Sequence, residues 1–108
     1  RPAQQLAPPP ATATARTVAR GEATYGTYCG RCHGREGAAN FGILPDLRYS
    51  ATLHSSEAWA GVVLGGKLAA NGMASFASVV DADDAEAIRA YVIAQANAAL
   101  ASRAVSTR

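Results

Sequence analysis

Two cysteines and a histidine fall within five residues, Cys29-Gly30-Arg31-Cys32-His33, and no other cysteine occurs in the chain. Thiols separated by two residues lie on one helical turn and reach the same flat partner. An imidazole directly after them meets a metal at that partner's centre. This C-x-x-C-H order is the attachment signature of a c-type haem: the thiols of Cys29 and Cys32 add across two vinyl groups as thioethers, and His33 becomes the proximal iron ligand. A single haem would then use both cysteines, leaving none for a structural disulfide.

Other chemistries fit less well. A thioredoxin-like pair needs a strand, a turn and a helix, and no two-residue alternation precedes Cys29. A structural zinc site takes four ligands. The whole cysteine and histidine supply is Cys29, Cys32, His33 and His54, with His54 far along the chain. A chance occurrence is the remaining alternative.

A chain of 108 residues is expected to form one domain with a modest core, to which a haem would add much apolar filling. The formal charge is +2 and the basic residues are scattered, which gives no nucleic-acid surface. No apolar run approaches the roughly 20 residues of a membrane span. The chain begins Arg1-Pro2-Ala3, without an initiator Met or a signal peptide, and reads as a processed product or an excised piece.

Residues 1–17 hold four of the five prolines, including Pro8-Pro9-Pro10, and read as an extended tether, either a linker or a disordered terminus. Residues 18–101 are expected to form the domain, and residues 102–108 a frayed tail. From Val18 a helical pattern begins. Gly21, Tyr25 and Cys29 are four apart and share a face. Glycine costs a helix about 1 kcal/mol relative to alanine, so Gly21 points to a second helix crossing at close range, with Tyr25 buried in the same contact. Ser55 or Ser56 is expected to cap a helix over Glu57–Leu64, with Trp59, Val62 and Val63 inward and Gly65-Gly66 at its end. Asp81 is expected to cap the last helix, which reaches about Leu100 and buries Ala85, Ile88, Tyr91, Val92, Gln95 and Ala99 along one face.

Four further positions complete a candidate ligand set. Pro45 lies twelve residues after His33. Its carbonyl is the candidate acceptor for the second ring nitrogen of His33, although a rigid turn would also explain a proline there. Arg48, Tyr49 and Trp59 are candidates to place polar tips on the haem propionates, or simply form a half-buried aromatic cluster. Met73, the only methionine, follows Gly72 in a small-residue loop. A thioether is the usual partner of His in electron-carrying haem proteins, so Met73 is the expected sixth ligand. Its alternative role is gap-filling in the core. His54 is the competing ligand and reads as a surface residue. No acid/base pair or nucleophile constellation is visible, so no catalytic residue is assigned.

Gly21, Tyr25, Cys29-x-x-Cys32-His33, Pro45 with Leu47, Gly72-Met73 and the Ile88/Tyr91 pair together resemble the class I cytochrome c family. That resemblance implies an all-α fold in which N- and C-terminal helices cross and shorter helices and loops wrap one covalently attached haem c. Gly42-Ile-Leu-Pro-Asp-Leu-Arg-Tyr49, Val62-Val-Leu-Gly-Gly66, Gly72-Met-Ala-Ser-Phe76 and Ala87-Ile-Arg-Ala-Tyr-Val-Ile93 are similar to the C-terminal haem domain of quinohaemoprotein alcohol dehydrogenases. The likeness covers about residues 18 to 97. It implies an electron carrier rather than an enzyme, located in a bacterial periplasm. The expected donor is a pyrroloquinoline-quinone (PQQ)-dependent alcohol dehydrogenase domain or subunit that holds the PQQ itself. A cytochrome, copper protein or oxidase would accept the electrons. A free periplasmic cytochrome feeding an oxidase, and a haem sensor or peroxidase-like protein with a displaceable Met73, are the alternatives.

Overall fold

The computed structural model describes residues 6–29, 47–65 and 77–106, with side chains described to residue 102. Three α-helices and two 3₁₀ turns make up the regular structure of these residues: α1 (Ala15–Tyr28), the turns Leu47–Tyr49 and Ala51–His54, α2 (Ser56–Val63) and α3 (Ala82–Ser106). No strand occurs among them, in keeping with an all-α fold.

The frame is the crossing of α1 and α3. Gly21 is buried on α1 against the Ala87 carbonyl of α3, so near that a Cβ on Gly21 would lie 1.9 Å from that oxygen. One turn on, Tyr25 and Tyr91 are both buried, with ring centroids 5.3 Å apart and planes tilted by 51°. Aromatic pairs at such a separation contribute about 0.5–1.5 kcal/mol beyond burial. The close helical approach expected from the Gly21/Tyr25 spacing is therefore present.

α3 packs against α1, α2 and both 3₁₀ turns. That is why its buried surface is wider than the single stripe expected. Ala85, Ile88, Tyr91 and Val92 are buried as expected, but so are Ala87, Ala90, Ile93 and Ala96, while Gln95 and Ala99 are half-buried. α3 also runs to Ser106, beyond the end expected near Leu100. Its last turns are rich in alanine (Ala98, Ala99, Ala101, Ala104), the best helix former, and no Gly or Pro stops them.

Both other helix starts carry the expected side-chain caps. Ser55 Oγ accepts the Ala58 amide at 3.1 Å and begins α2. On α2, Trp59 and Val63 are buried, whereas Val62 is only half-buried. The α2 helix closes when the Leu64 and Gly65 amides both bond to the Ala60 carbonyl. At the start of α3, the Asp84 amide donates to Asp81 Oδ1 at 2.7 Å and the Asp81 amide donates to Asp84 Oδ2 at 3.2 Å. This reciprocal box satisfies two otherwise orphaned donors.

Asp84 Oδ1 also accepts from Arg20 Nη2 of α1 at 2.6 Å. The Arg20 hydrogen bond, followed by the Asp81 amide, holds the Asp84 carboxyl below its ordinary range. An acid whose pKa is lowered on folding stabilises the fold above its unfolded value, near 3.9, and loses that contribution as pH falls through the lower folded value. Asp84→Asn is expected to lose a small amount of stability at pH 7. The gap to the unmodified protein should close as both are acidified below pH 4, as read from urea midpoints across that range.

The N-terminal segment departs from the extended tether expected of it. Residues 6–14 have no regular structure, yet Leu6 is buried. α1 starts at Ala15, three residues before Val18, because the Thr14 hydroxyl accepts the Thr17 amide at 3.2 Å and caps it. A tether makes no such anchored contacts.

Candidate functional site

Cys29 ends α1. Its backbone remains near helical values (φ −108°, ψ −34°), and its amide donates to the Tyr25 carbonyl at 2.8 Å. The side chain is 7% exposed and belongs to the same core cluster as Tyr25, Trp59, Val63 and Tyr91. The C-x-x-C-H motif thus starts where α1 stops, with its first cysteine against apolar and aromatic side chains. Cys32, His33, Pro45 and Met73 lie outside the described residues, so their mutual placement is not part of this geometry.

Arg48 and Tyr49 occupy the first 3₁₀ turn and are half-buried; Leu47 of the same turn packs on the core. The second turn follows directly. Ser50 caps it by accepting the Thr52 amide at 3.2 Å. Leu53 within it is fully buried.

Trp59 requires a correction. It was a candidate for a propionate contact, but its indole N–H donates to the Ala85 carbonyl of α3 at 2.8 Å in a buried setting. Indole has one polar hydrogen and no acceptor. With that hydrogen committed to α3, Trp59 serves as a wall residue that pins α2 to α3.

The second pin was not foreseen. Ser56 Oγ donates to Glu86 Oε1 at 3.0 Å, and the same oxygen accepts from Arg89 Nη1. Arg89 Nε donates to the Leu53 carbonyl at 3.0 Å. Arg89 therefore ties the second 3₁₀ turn to α3, which holds the adjoining Arg48/Tyr49 turn in place. The Glu86/Arg89 spacing is an i,i+3 pair visible in sequence. The Leu53 carbonyl it also grips leaves no such trace.

His54 is exposed, as expected, and its Nε2 donates to the Ala7 carbonyl at 2.8 Å. That nitrogen is turned towards backbone, which weighs against His54 as an iron ligand. Among the described residues no three His, Cys, Asp or Glu side chains converge into a metal cluster.

The donor set fits a haem held by C-x-x-C-H. Cys29 meets the requirement in the described part, since a thiol destined for a thioether on an apolar macrocycle must lie in a water-poor wall, and this one does.

Comparison with known proteins adds an independent line. The family model described as cytochrome c oxidase, cbb3-type, subunit III matches residues 16–92. The chain is 42% identical over 89 residues to the dehydrogenase subunit of alcohol dehydrogenase (quinone) from Acetobacter aceti, covering 82% of this chain and 12% of that protein. The corresponding subunit from Komagataeibacter europaeus is 37% identical over the same 82% of this chain and 12% of its own length. Quinohemoprotein alcohol dehydrogenase ADH-IIG from Pseudomonas putida is 32% identical over 90 residues, 83% of this chain and 12% of that protein. The chain spans about an eighth of the length of these relatives.

Proposed function

The chain belongs to the class I c-type cytochromes, and from that premise we propose that it passes single electrons from a PQQ-dependent alcohol dehydrogenase to a downstream acceptor in a bacterial periplasm. The observation that carries the donor's identity is the 42% identity over 89 residues to a subunit of a quinone-type alcohol dehydrogenase. Localisation follows from chemistry: covalent haem attachment takes place after export.

The haem, when bound, supplies a one-electron iron couple. This chain's residues hold and tune it. Cys29 and Cys32 would provide the two thioether anchors, and His33 and Met73 would hold the iron. The Pro45 carbonyl would be the acceptor for the remaining His33 ring N–H, a contact that would fix the imidazole's orientation and raise its basicity. Arg48 and Tyr49, held by the turn that Arg89 tethers, are assigned to the propionates. Two protein ligands would leave no iron position for a substrate, in keeping with a carrier rather than a catalyst. A Met ligand raises the reduction potential, suiting the iron to take electrons from a quinol-level donor.

The second reading, a free cytochrome that feeds an oxidase, is favoured by the oxidase subunit named in the matching family model. The two separate in one experiment. The oxidised protein is mixed with a PQQ-dependent alcohol dehydrogenase lacking its own cytochrome, an alcohol is added, and reduction is followed by absorbance. Rapid alcohol-dependent reduction supports the first reading; no reduction above the rate without dehydrogenase removes it.

The ligand assignment has its own test. Met73→Ala is expected to lower the potential and let carbon monoxide bind the ferrous protein at neutral pH. His54→Ala should leave the visible spectrum unchanged. A spectral change in His54→Ala with a silent Met73→Ala would reverse the assignment.

A further inference from the structure

We propose that residues 6–14 form a docked strap, and that its anchors fix where the polypeptide on the N-terminal side of Leu6 leaves the domain. Four anchors occur within nine residues. Leu6 is 7% exposed. The Ala7 carbonyl accepts from His54 Nε2 at 2.8 Å. The Pro9 carbonyl accepts from Asn97 Nδ2 of α3 at 2.9 Å. Thr14 caps α1.

The composition suits this use. Pro8-Pro9-Pro10 offers no amide hydrogen, so only its carbonyls can be gripped, as Asn97 grips that of Pro9; His54 takes the carbonyl of Ala7 just before the run. A proline run is already extended and stiff, so docking it costs less conformational entropy than docking a flexible chain. Asn97 is itself pre-positioned, because its amide also donates to the Ile93 carbonyl one turn earlier on α3 at 2.9 Å.

A partly open pocket of about 320 Å³ is lined by Pro9 and Pro10 of the strap and by Val18, Arg89 and Ile93 of the helices, among others. The strap's attachment is assigned to Leu6, His54 and Asn97. Ala7 therefore lies beside the second 3₁₀ turn, where His54 sits, and not at the start of α1.

The test is ¹⁵N relaxation on the haem-loaded ferrous protein, which reports backbone order without reference to electron transfer. Order parameters at Ala7, Ala11 and Ala13 near those of α1, about 0.85, support the strap; values below about 0.6 in the unmodified protein overturn it. In the double variant H54A/N97A, the order parameter at Ala7 should fall below about 0.6 while α1 and α3 stay unchanged. Leu6→Asp should give the same pattern. Unchanged order at Ala7 in H54A/N97A would show that those side chains do not anchor the segment. That variant alters two half-exposed or exposed side chains, so it keeps the test decisive even if Leu6→Asp fails to fold.

Discussion

Gly21→Ala is expected to destabilise the haem-loaded protein by about 3 kcal/mol, a large share of the roughly 5–15 kcal/mol available to a domain. On helix propensity alone the substitution would help, by about 1 kcal/mol. The crossing reverses the sign. The new methyl carbon would lie 1.9 Å from the Ala87 oxygen, 2.5 Å from its carbonyl carbon and 2.9 Å from Tyr91 Cβ. The first two are backbone atoms of a helix held on several sides, so no rotamer change relieves the clash. α1 and α3 must move apart by roughly 1.4 Å to restore an ordinary carbon–oxygen contact. That movement also loosens the Tyr25–Tyr91 pair next to it. Gly26, on the same helix, has nothing within 4 Å of the place a methyl carbon would take, and provides the control. Gly26→Ala should stabilise by about 0.5–1 kcal/mol. Urea midpoints therefore move in opposite directions, Gly21→Ala downward by about 1–2 M. Two variants of equal stability would mean that the helices do not cross at Gly21.

The crossing was legible in the sequence because a side-chain identity encodes it. A glycine that harms its own helix, four residues before an aromatic, has few explanations other than close approach, and Ile88 and Tyr91 supplied the partner face. The caps at Ser55 and Asp81 were legible for the same reason: short side chains with acceptor oxygens precede apolar periodic runs. What stayed hidden involves backbone atoms as partners. The Trp59 indole donates to the Ala85 carbonyl, Arg89 to that of Leu53, His54 to that of Ala7 and Asn97 to that of Pro9. Every residue has a carbonyl, so no residue type at the accepting position announces the bond. This explains both the misplaced Trp59 tip and the strap that read as a tether. Of the candidate site, Cys29 at the end of α1 and the Arg48/Tyr49 turn are positioned by the described elements. The roles of Cys32, His33, Pro45 and Met73 rest on motif chemistry and family membership.

The largest loss is expected from the double substitution of Cys29 and Cys32 by Ala. The haem should become extractable by acidified solvent, and the chain should lose most of its helical signal and its cooperative unfolding. The lost thiol packing cannot account for this. Trimming one buried cysteine to alanine is a change within the ordinary range of about 0.5–3 kcal/mol. The described core is small, built around Leu53, Ile88, Val92 and the aromatics Tyr25, Trp59 and Tyr91, and a domain of this length has little surplus apolar surface. The covalent group is therefore expected to complete the core as well as carry the electron. Circular dichroism and thermal melts on the double variant, with haem content read in parallel, separate the two roles. If the variant lacks haem yet melts as cooperatively as the unmodified protein, the helices α1 to α3 are self-sufficient and the haem is no part of what holds them together. If instead it retains unextractable haem, Cys29 and Cys32 are not the attachment points. A single Cys29→Ala variant sharpens the distinction. One remaining thioether through Cys32 should keep the haem bound while leaving a small gap beside Tyr25 and Trp59. Its stability should therefore lie between the two extremes, closer to the unmodified protein.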